Sequence, residues 1–197
     1  MLEALNSIDV SILLWINSHF SPFLDQMMLF ASAKFTWIPF YLFIIFFIAK
    51  KYGLKTILIL LFVALTVTLT DQTSVHLFKN IFLRLRPCHQ PGVMEKLRMI
   101  HGCGGQYGFV SSHAANSFGV VTFISLLFKK KWFTLMMILW GLTVIYSRVY
   151  LGVHYPFDVL GGSILGIFMG MVSYWLYFKV DKRWGHMSLF STQKKTS

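Results

Sequence analysis

Acidic residues are scarce in this 197-residue chain. Seven Asp and Glu are set against 18 Lys and Arg, and charged residues make up only 13% of the sequence. Average soluble domains carry about 25% charged residues, so this low content, with 56% hydrophobic residues, argues against a soluble enzyme. The net charge of +11 does not indicate nucleic-acid binding either, because long apolar runs separate the basic residues. The composition predicts a polytopic membrane protein with basic loops.

Basic residues are also missing from the N-terminal region, where no Lys or Arg precedes Lys34. We therefore do not expect a cleaved secretory signal. Apolar residues recur at helical spacing over residues 2–20, but polar residues interrupt them, so the stretch is too short to span a bilayer. The pattern predicts an interfacial helix within residues 1–25.

Long apolar runs predict an all-α fold, a polytopic transmembrane helical bundle within one domain over residues 1–197. Each run approaches the ~20 residues that a bilayer core requires. Five spans are expected within a transmembrane core of residues 27–178, at 27–49, 56–78, 111–128, 132–151 and 156–178. Pro39 is expected to kink the first span.

The distribution of lysines predicts the orientation of the bundle. If the spans alternate, two Lys-rich linkers and a basic tail over residues 179–197 lie on one side of the membrane. The positive-inside rule assigns that side to the cytoplasm. The long, glycine-rich connection over residues 80–110 then lies on the outer side, where we expect the chemistry.

Only two cysteines are present, Cys88 and Cys103, and both lie in this outer connection. An oxidising environment would allow a disulfide that orders the entrance to a site. Two free thiols are the alternative. A third reading is a metal site with His89 and His101, although the spacing matches no common zinc pattern.

Ionisable and hydroxyl side chains gather at the outer ends of the predicted spans. Ionisable groups at that depth cost free energy unless they pair or face a wet cavity. Their recurrence in four segments therefore predicts one polar pocket that opens outward, and independent structural pairings are the competing explanation. Its candidate members are Lys79, Arg86, Ser111, Ser112, His113, Arg148, His154 and Asp158.

Two spacings within this set suggest chemistry. Lys79 and Arg86 are seven residues apart, which on a helix returns both to nearly the same face, with Pro87 ending the helix. Two cations on one face predict an anion clamp. Asp158 follows His154 by four residues near a helix start, so its carboxylate can fix the tautomer of the ring and leave the other nitrogen free to attack.

These motifs resemble the type 2 phosphatidic acid phosphatase superfamily. Its pattern is Lys, six residues and Arg-Pro, then Pro-Ser-Gly-His, then Ser-Arg, five residues, His, three residues and Asp. The first and third blocks fit this sequence without a gap. The middle block departs from the pattern, with Val110 in place of proline and Ser112 in place of glycine, while Ser111 and His113 are retained.

The resemblance implies an enzyme that needs neither a metal nor a cofactor. His154 is expected to attack phosphorus and form a phosphohistidine, with Asp158 orienting its ring. His113 is expected to protonate the leaving oxygen and then to activate water. The implied phosphate-binding residues are Lys79, Arg86, Ser111, Ser112 and Arg148.

A pocket at the outer membrane level implies a phospholipid-type or isoprenoid-phosphate substrate held in the bilayer. Lipid A and undecaprenyl diphosphate are the leading candidates, followed by phosphatidylglycerol phosphate and phosphatidic acid. The expected location is a bacterial inner membrane, with the site facing the periplasm. An anionic-lipid transporter or flippase without hydrolysis is the alternative from another class, although such sites usually lie at the bilayer midplane between repeats, and the sequence shows no repeat.

Overall fold

The computed structural model describes residues 2–100 and 102–193, and the side chains over 3–100 and 102–183. Within these ranges the regular structure is helical, without a strand. The α-helices are α1 Leu2–Ser18, α2 Pro22–Ser32, α3 Ile38–Tyr52, α4 Lys55–Thr73, α5 Asn80–Phe82, α6 Ser112–Phe128, α7 Lys131–Tyr150 and α8 Pro156–Gln193. The all-α prediction is confirmed.

Four helical stretches are long and apolar enough to cross a membrane. They are Phe35–Tyr52, Lys55–Phe82, Lys131–Tyr150 and Pro156–Arg183, and the shorter apolar helix α6 lies among them. Large apolar side chains such as Phe46, Leu61, Leu139 and Phe168 are exposed on the outside of this bundle. Because water penalises such a surface, it is suited to contact with lipid.

The predicted first span over residues 27–49 is wrong as one helix. Helix α2 ends at Ser32, a 3-10 turn follows at Phe35–Trp37, and α3 begins at Ile38. The indole N–H of Trp37 donates to the carbonyl oxygen of Ala31 at 2.9 Å, which bridges the break. Pro39 lies in the first turn of α3, where its missing N–H leaves no helical bond unmade, so it starts a helix and does not kink one.

The second span continues beyond the predicted residue 78. After α4 the chain forms a π-helical segment, Ser74–Lys79, and the short α5. Leu83 then adopts a left-handed backbone with φ 48°, which ends the helix before Arg86. The expectation that Lys79 and Arg86 share one helical face is therefore wrong, since the backbone of Arg86 is extended.

The last three predicted spans match α6, α7 and the first part of α8. The predicted 111–128 is observed as Ser112–Phe128, and 132–151 as Lys131–Tyr150. Helix α8 runs past residue 178 to Gln193, so much of the predicted tail is helical. Residues 194–197 lie outside the described residues.

Glycines on α8 allow it to pack closely against α6. A Cβ atom at Gly162, Gly166 or Gly170 would overlap a backbone carbonyl oxygen of α6 or of the residue before it. Small residues four apart on one face permit such an approach between membrane helices. This close packing places the start of α6 beside the start of α8. Both helix starts carry candidate site residues.

The N-terminal helix α1 packs against α7 and α8. Its Leu13 is fully buried, and the Asn17 carboxamide donates to the carbonyl oxygen of Tyr150 at 2.8 Å. The backbone N–H of Arg98 donates to the Asn17 side-chain oxygen at 2.9 Å. Asn17 therefore links the long connection to the end of α7. The interfacial position of α1 stays a prediction.

Candidate active site

His154 and Asp158 form the centre of the site. His154 lies in the short connection between α7 and α8, and Asp158 lies in the first turn of α8. His154 Nδ1 is 3.4 Å from Asp158 Oδ2, which also accepts a hydrogen bond from the backbone N–H of Tyr155 at 3.0 Å. Both side chains are buried, with 1% and 0% exposure. The four-residue spacing thus brings the pair together as predicted from the sequence.

Burial also sets the charge of the histidine. Desolvation lowers the pKa of His154 to about 4, although the hydrogen bond and charge of Asp158 oppose the shift. The imidazole is therefore neutral near pH 7. With Nδ1 directed at the carboxylate, the lone pair of Nε2 is available, as a nucleophile requires.

Three cations surround the pair. Arg148 lies in the last turn of α7 and donates through Nη1 to Ser32 Oγ, while its buried Nε has no hydrogen-bond partner among the described residues. A buried donor without a partner costs free energy, so this atom is suited to bind an anion. Arg86 enters from the long connection, and Lys79 from the end of the π-helical segment.

The hydroxyls of the middle motif have separate partners. Ser111 caps α6, and its Oγ accepts weakly from the N–H of Ala114 at 3.5 Å. Ser112 Oγ accepts from Lys79 Nζ at 2.6 Å and lies 2.6 Å from Ser74 Oγ. Ser112 stands in the first turn of α6 with a helical backbone, so its place needs no glycine. Its hydroxyl thus holds the Lys79 ammonium group beside the start of α6.

His113 follows in the same turn of α6. It lies within range of the charges of Arg86, Arg148, His154 and Lys34. The two histidines and the cations therefore share one site and do not form separate structural pairs. Of the predicted members, Ser111 is the one that the structure uses mainly as a helix cap.

Sequence reasoning missed four residues at this site. Arg84 Nη1 donates to Asp158 Oδ1 at 2.8 Å, and Arg84 Nη2 donates to Asp9 Oδ2 at 2.6 Å. A Cβ atom at Gly108 would lie 2.9 Å from Asp158 Oδ2, so only glycine fits against the pair. Lys34 lines the same cavity as His113, from the break between α2 and α3. One available signal was that Asp9 shares a helical face with apolar residues such as Leu13.

An apolar cavity of about 520 Å³ opens beside the site and continues between α3, α4, α6 and α7. Lys34, Ser112 and His113 line it at the site end, and Ile48 and Ile124 line its far end. The volume lies within the range of ligand pockets. The site therefore joins a polar, cationic end to a long apolar cleft.

Cys88 and Cys103 are joined by a disulfide in the structure, with Cα atoms 6.1 Å apart. His89 lies beside them, but both sulfurs are already bonded to each other, so the free-thiol and metal readings do not describe this structure. His101 lies outside the described residues. Arg86 Nη1 donates to the carbonyl oxygen of Cys103 at 2.7 Å. The disulfide therefore holds an acceptor that positions Arg86.

Removing this disulfide is expected to weaken catalysis without abolishing it. In the Cys88→Ser, Cys103→Ser variant, Arg86 loses a fixed acceptor, and one hydrogen bond of about 1 kcal/mol corresponds to about a fivefold loss in kcat/KM. The closed loop itself contributes up to about 3 kcal/mol to stability. The turnover rate with and without dithiothreitol measures the effect. Full activity of the reduced wild-type protein would contradict it, and the double variant, which is insensitive to the reductant, is the control.

Comparison with known proteins agrees with this geometry. Residues 55–182 match the model of the PAP2 superfamily. The chain is 37% identical over 186 residues to the lipid A 4'-phosphatase of Bacteroides thetaiotaomicron, covering 93% of this chain and 83% of that protein. It is 33% identical over 187 residues to the lipid A 4'-phosphatase of Porphyromonas gingivalis, covering 93% and 78%.

A solved structure is similar as well. The crystal structure of the PAP2 type phosphatidylglycerolphosphate phosphatase of Bacillus subtilis aligns with a TM-score of 0.63 and 25% identity, over 91% of this chain and 87% of that one. The chain belongs to the PAP2 superfamily, as the three sequence motifs predicted. It is a multi-pass membrane lipid phosphatase.

Proposed function

We propose that this protein removes a phosphate group from lipid A at the periplasmic face of the inner membrane, through a phosphohistidine intermediate. The observation that carries the proposal is that a cationic site with two histidines lies next to an apolar cavity of about 520 Å³. A lipid phosphate needs both environments. The similarity to two lipid A 4'-phosphatases over 93% of this chain favours lipid A, and its 4'-phosphate in particular.

In the first step, His154 Nε2 attacks phosphorus, and the bond between phosphorus and the sugar oxygen breaks. His113 gives a proton to that oxygen, so the lipid leaves as an alcohol. The positive charge that develops on the imidazole faces the Asp158 carboxylate, 3.4 Å away. Lys79, Arg86 and Arg148 balance the charge on the phosphoryl oxygens.

In the second step, neutral His113 takes a proton from water, and the water oxygen attacks the phosphohistidine. The N–P bond breaks, inorganic phosphate leaves, and His154 returns to its neutral form. The start of α6, which carries His113, assists in holding the anion through its backbone N–H groups, as helix starts commonly do.

The lysine-rich linkers support the proposed orientation. Lys50 and Lys51 end α3, and Lys131 begins α7, at the end of the bundle opposite the histidine site. The positive-inside rule assigns that end to the cytoplasm. The site then faces the periplasm, where the disulfide is also stable.

Substrate preference tests the proposal. The full chain is purified in detergent and given lipid A, undecaprenyl diphosphate or phosphatidylglycerol phosphate, and released phosphate is measured. We expect kcat/KM for lipid A to exceed the other two at least tenfold, which corresponds to about 1.4 kcal/mol of discrimination. Loss of the 4'-phosphate, read by mass spectrometry of the product, locates the cleaved bond.

A faster release from either of the other lipids would reassign the substrate. Lipid movement across vesicles without any phosphate release would instead support the transporter alternative. The His154→Ala protein, purified in the same way, gives the background from contaminating phosphatases.

A further inference from the structure

Arg84 joins two buried carboxylates that come from distant parts of the chain. Its Nη1 donates to Asp158 Oδ1 at 2.8 Å, and its Nη2 donates to Asp9 Oδ2 at 2.6 Å. Both carboxylates are fully buried, whereas the Arg84 side chain is 25% exposed. Asp9 belongs to α1, outside the motifs of the superfamily. The carboxylate that orients His154 is therefore linked to the N-terminal helix.

Further contacts make this link rigid. Asp9 Oδ1 accepts from the backbone N–H of Phe157 at 2.9 Å, in the first turn of α8 next to Asp158. The Arg84 guanidinium lies over the ring of Tyr155, 4.1 Å from its centroid. Asn6 accepts a longer hydrogen bond from Arg84 at 3.2 Å. Asp9 thus holds both Arg84 and the backbone that carries Asp158.

The charges of Asp158, Arg84 and Asp9 indicate what the second carboxylate, that of Asp9, contributes. Arg84 alone would neutralise Asp158 and leave little negative charge for His154. With Asp9 present, the two carboxylates and one guanidinium carry a net charge of −1, which matches the positive charge that develops on the imidazole during phosphoryl transfer. Electrostatic effects of this kind are strong among buried groups.

We propose that Asp9 and Arg84 are positioning residues for phosphoryl transfer, and that Asp9 compensates Arg84 so that the charge of Asp158 stays available to His154. The inference rests on the proposed role of His154 as the nucleophile. It assigns the N-terminal helix a part in the reaction, in addition to its packing against α7 and α8.

The Asp9→Asn variant tests this inference, because the amide keeps the size of the side chain and can still accept one hydrogen bond. We expect kcat to fall about 10- to 100-fold, as for other residues that orient a catalytic group, with KM changed less than threefold. The cations that hold phosphate are untouched, so substrate binding should persist. Asp9→Glu, which restores the charge, should regain part of the lost kcat.

Asp25→Asn is the matched control. Asp25 also accepts from an arginine of the long connection, Arg98, and from the Tyr150 hydroxyl at 2.8 Å, but it does not contact Asp158. It should leave kcat within twofold of wild type. Equal losses of kcat in the two Asn variants would overturn the inference, as would full activity of Asp9→Asn.

A double variant tests the charge argument itself. In Asp9→Asn with Arg84→Gln, the uncompensated cation is gone and the Gln amide can still donate to Asp158, so kcat should exceed that of Asp9→Asn at least threefold. A double variant no better than the product of the single losses would reject charge compensation. His154→Ala is measured in parallel: turnover in that variant would refute the proposed function, whereas its inactivity beside an unaffected Asp9→Asn would refute only this inference.

Discussion

Replacing His154 with alanine is expected to lower kcat by about 10⁴- to 10⁶-fold, the range seen when a nucleophile is removed. The ring is 1% exposed and has its Nδ1 directed at Asp158, so Nε2 is the nitrogen that attacks in the proposed mechanism. Alanine has no nitrogen nucleophile, so the covalent intermediate of the proposed mechanism cannot form. Folding should survive, since the backbone N–H of residue 154 and its acceptor on Arg148 are unchanged.

The measurement is single-turnover phosphate release, together with trapping of the phosphorylated protein by a quench in alkaline detergent, which preserves a phosphohistidine. Wild type should carry a base-stable, acid-labile phosphoryl group, and His154→Ala should carry none. His76→Ala is the matched control, because His76 is exposed on the π-helical segment and contacts Gln72 at 3.1 Å. Retained turnover or trapping in His154→Ala would reject the phosphohistidine mechanism.

The sequence predicted those parts of the fold that depend on local pattern. Long apolar runs located α6 and α7 within one residue at each end, because bilayer thickness fixes the length of a span. The apolar pattern predicted one helix over residues 27–49, where the structure has a break between α2 and α3. The Trp37 hydrogen bond to Ala31 bridges that break and Pro39 starts the next helix, and a hydropathy profile shows neither feature.

The candidate site was predictable only where its members are close in sequence or belong to a motif. His154 and Asp158 are four residues apart around the start of α8, so their short separation in sequence keeps them close together. The contact between Arg84 and Asp9 crosses 75 residues, and the pattern of α1 offered only a carboxylate on an apolar face. Lys79 and Arg86 were both selected as site residues, but on the assumption of one helix, which the left-handed Leu83 interrupts.

Replacing Asp158 with asparagine should be nearly as damaging as removing the nucleophile, with kcat reduced about 10⁴-fold. Oδ1 of Asp158 accepts from Arg84, and Oδ2 accepts from the Tyr155 N–H, so each oxygen already faces a donor. An amide has only one oxygen. If its nitrogen faces Arg84, two donors meet, and if its nitrogen faces His154, the ring must accept at Nδ1 and carry its proton on Nε2.

Either arrangement removes the nucleophilic lone pair or the partner of Arg84, whereas KM should change little because phosphate is held by other residues. The trapping experiment should show slower phosphorylation in Asp158→Asn, not slower hydrolysis of the intermediate alone. Asp181→Asn is the control on the same helix, since Asp181 pairs with Lys55 at 2.7 Å far along α8. An Asp158→Asn protein with kcat within tenfold of wild type would mean that the carboxylate does not set the tautomer, and that burial alone keeps His154 neutral.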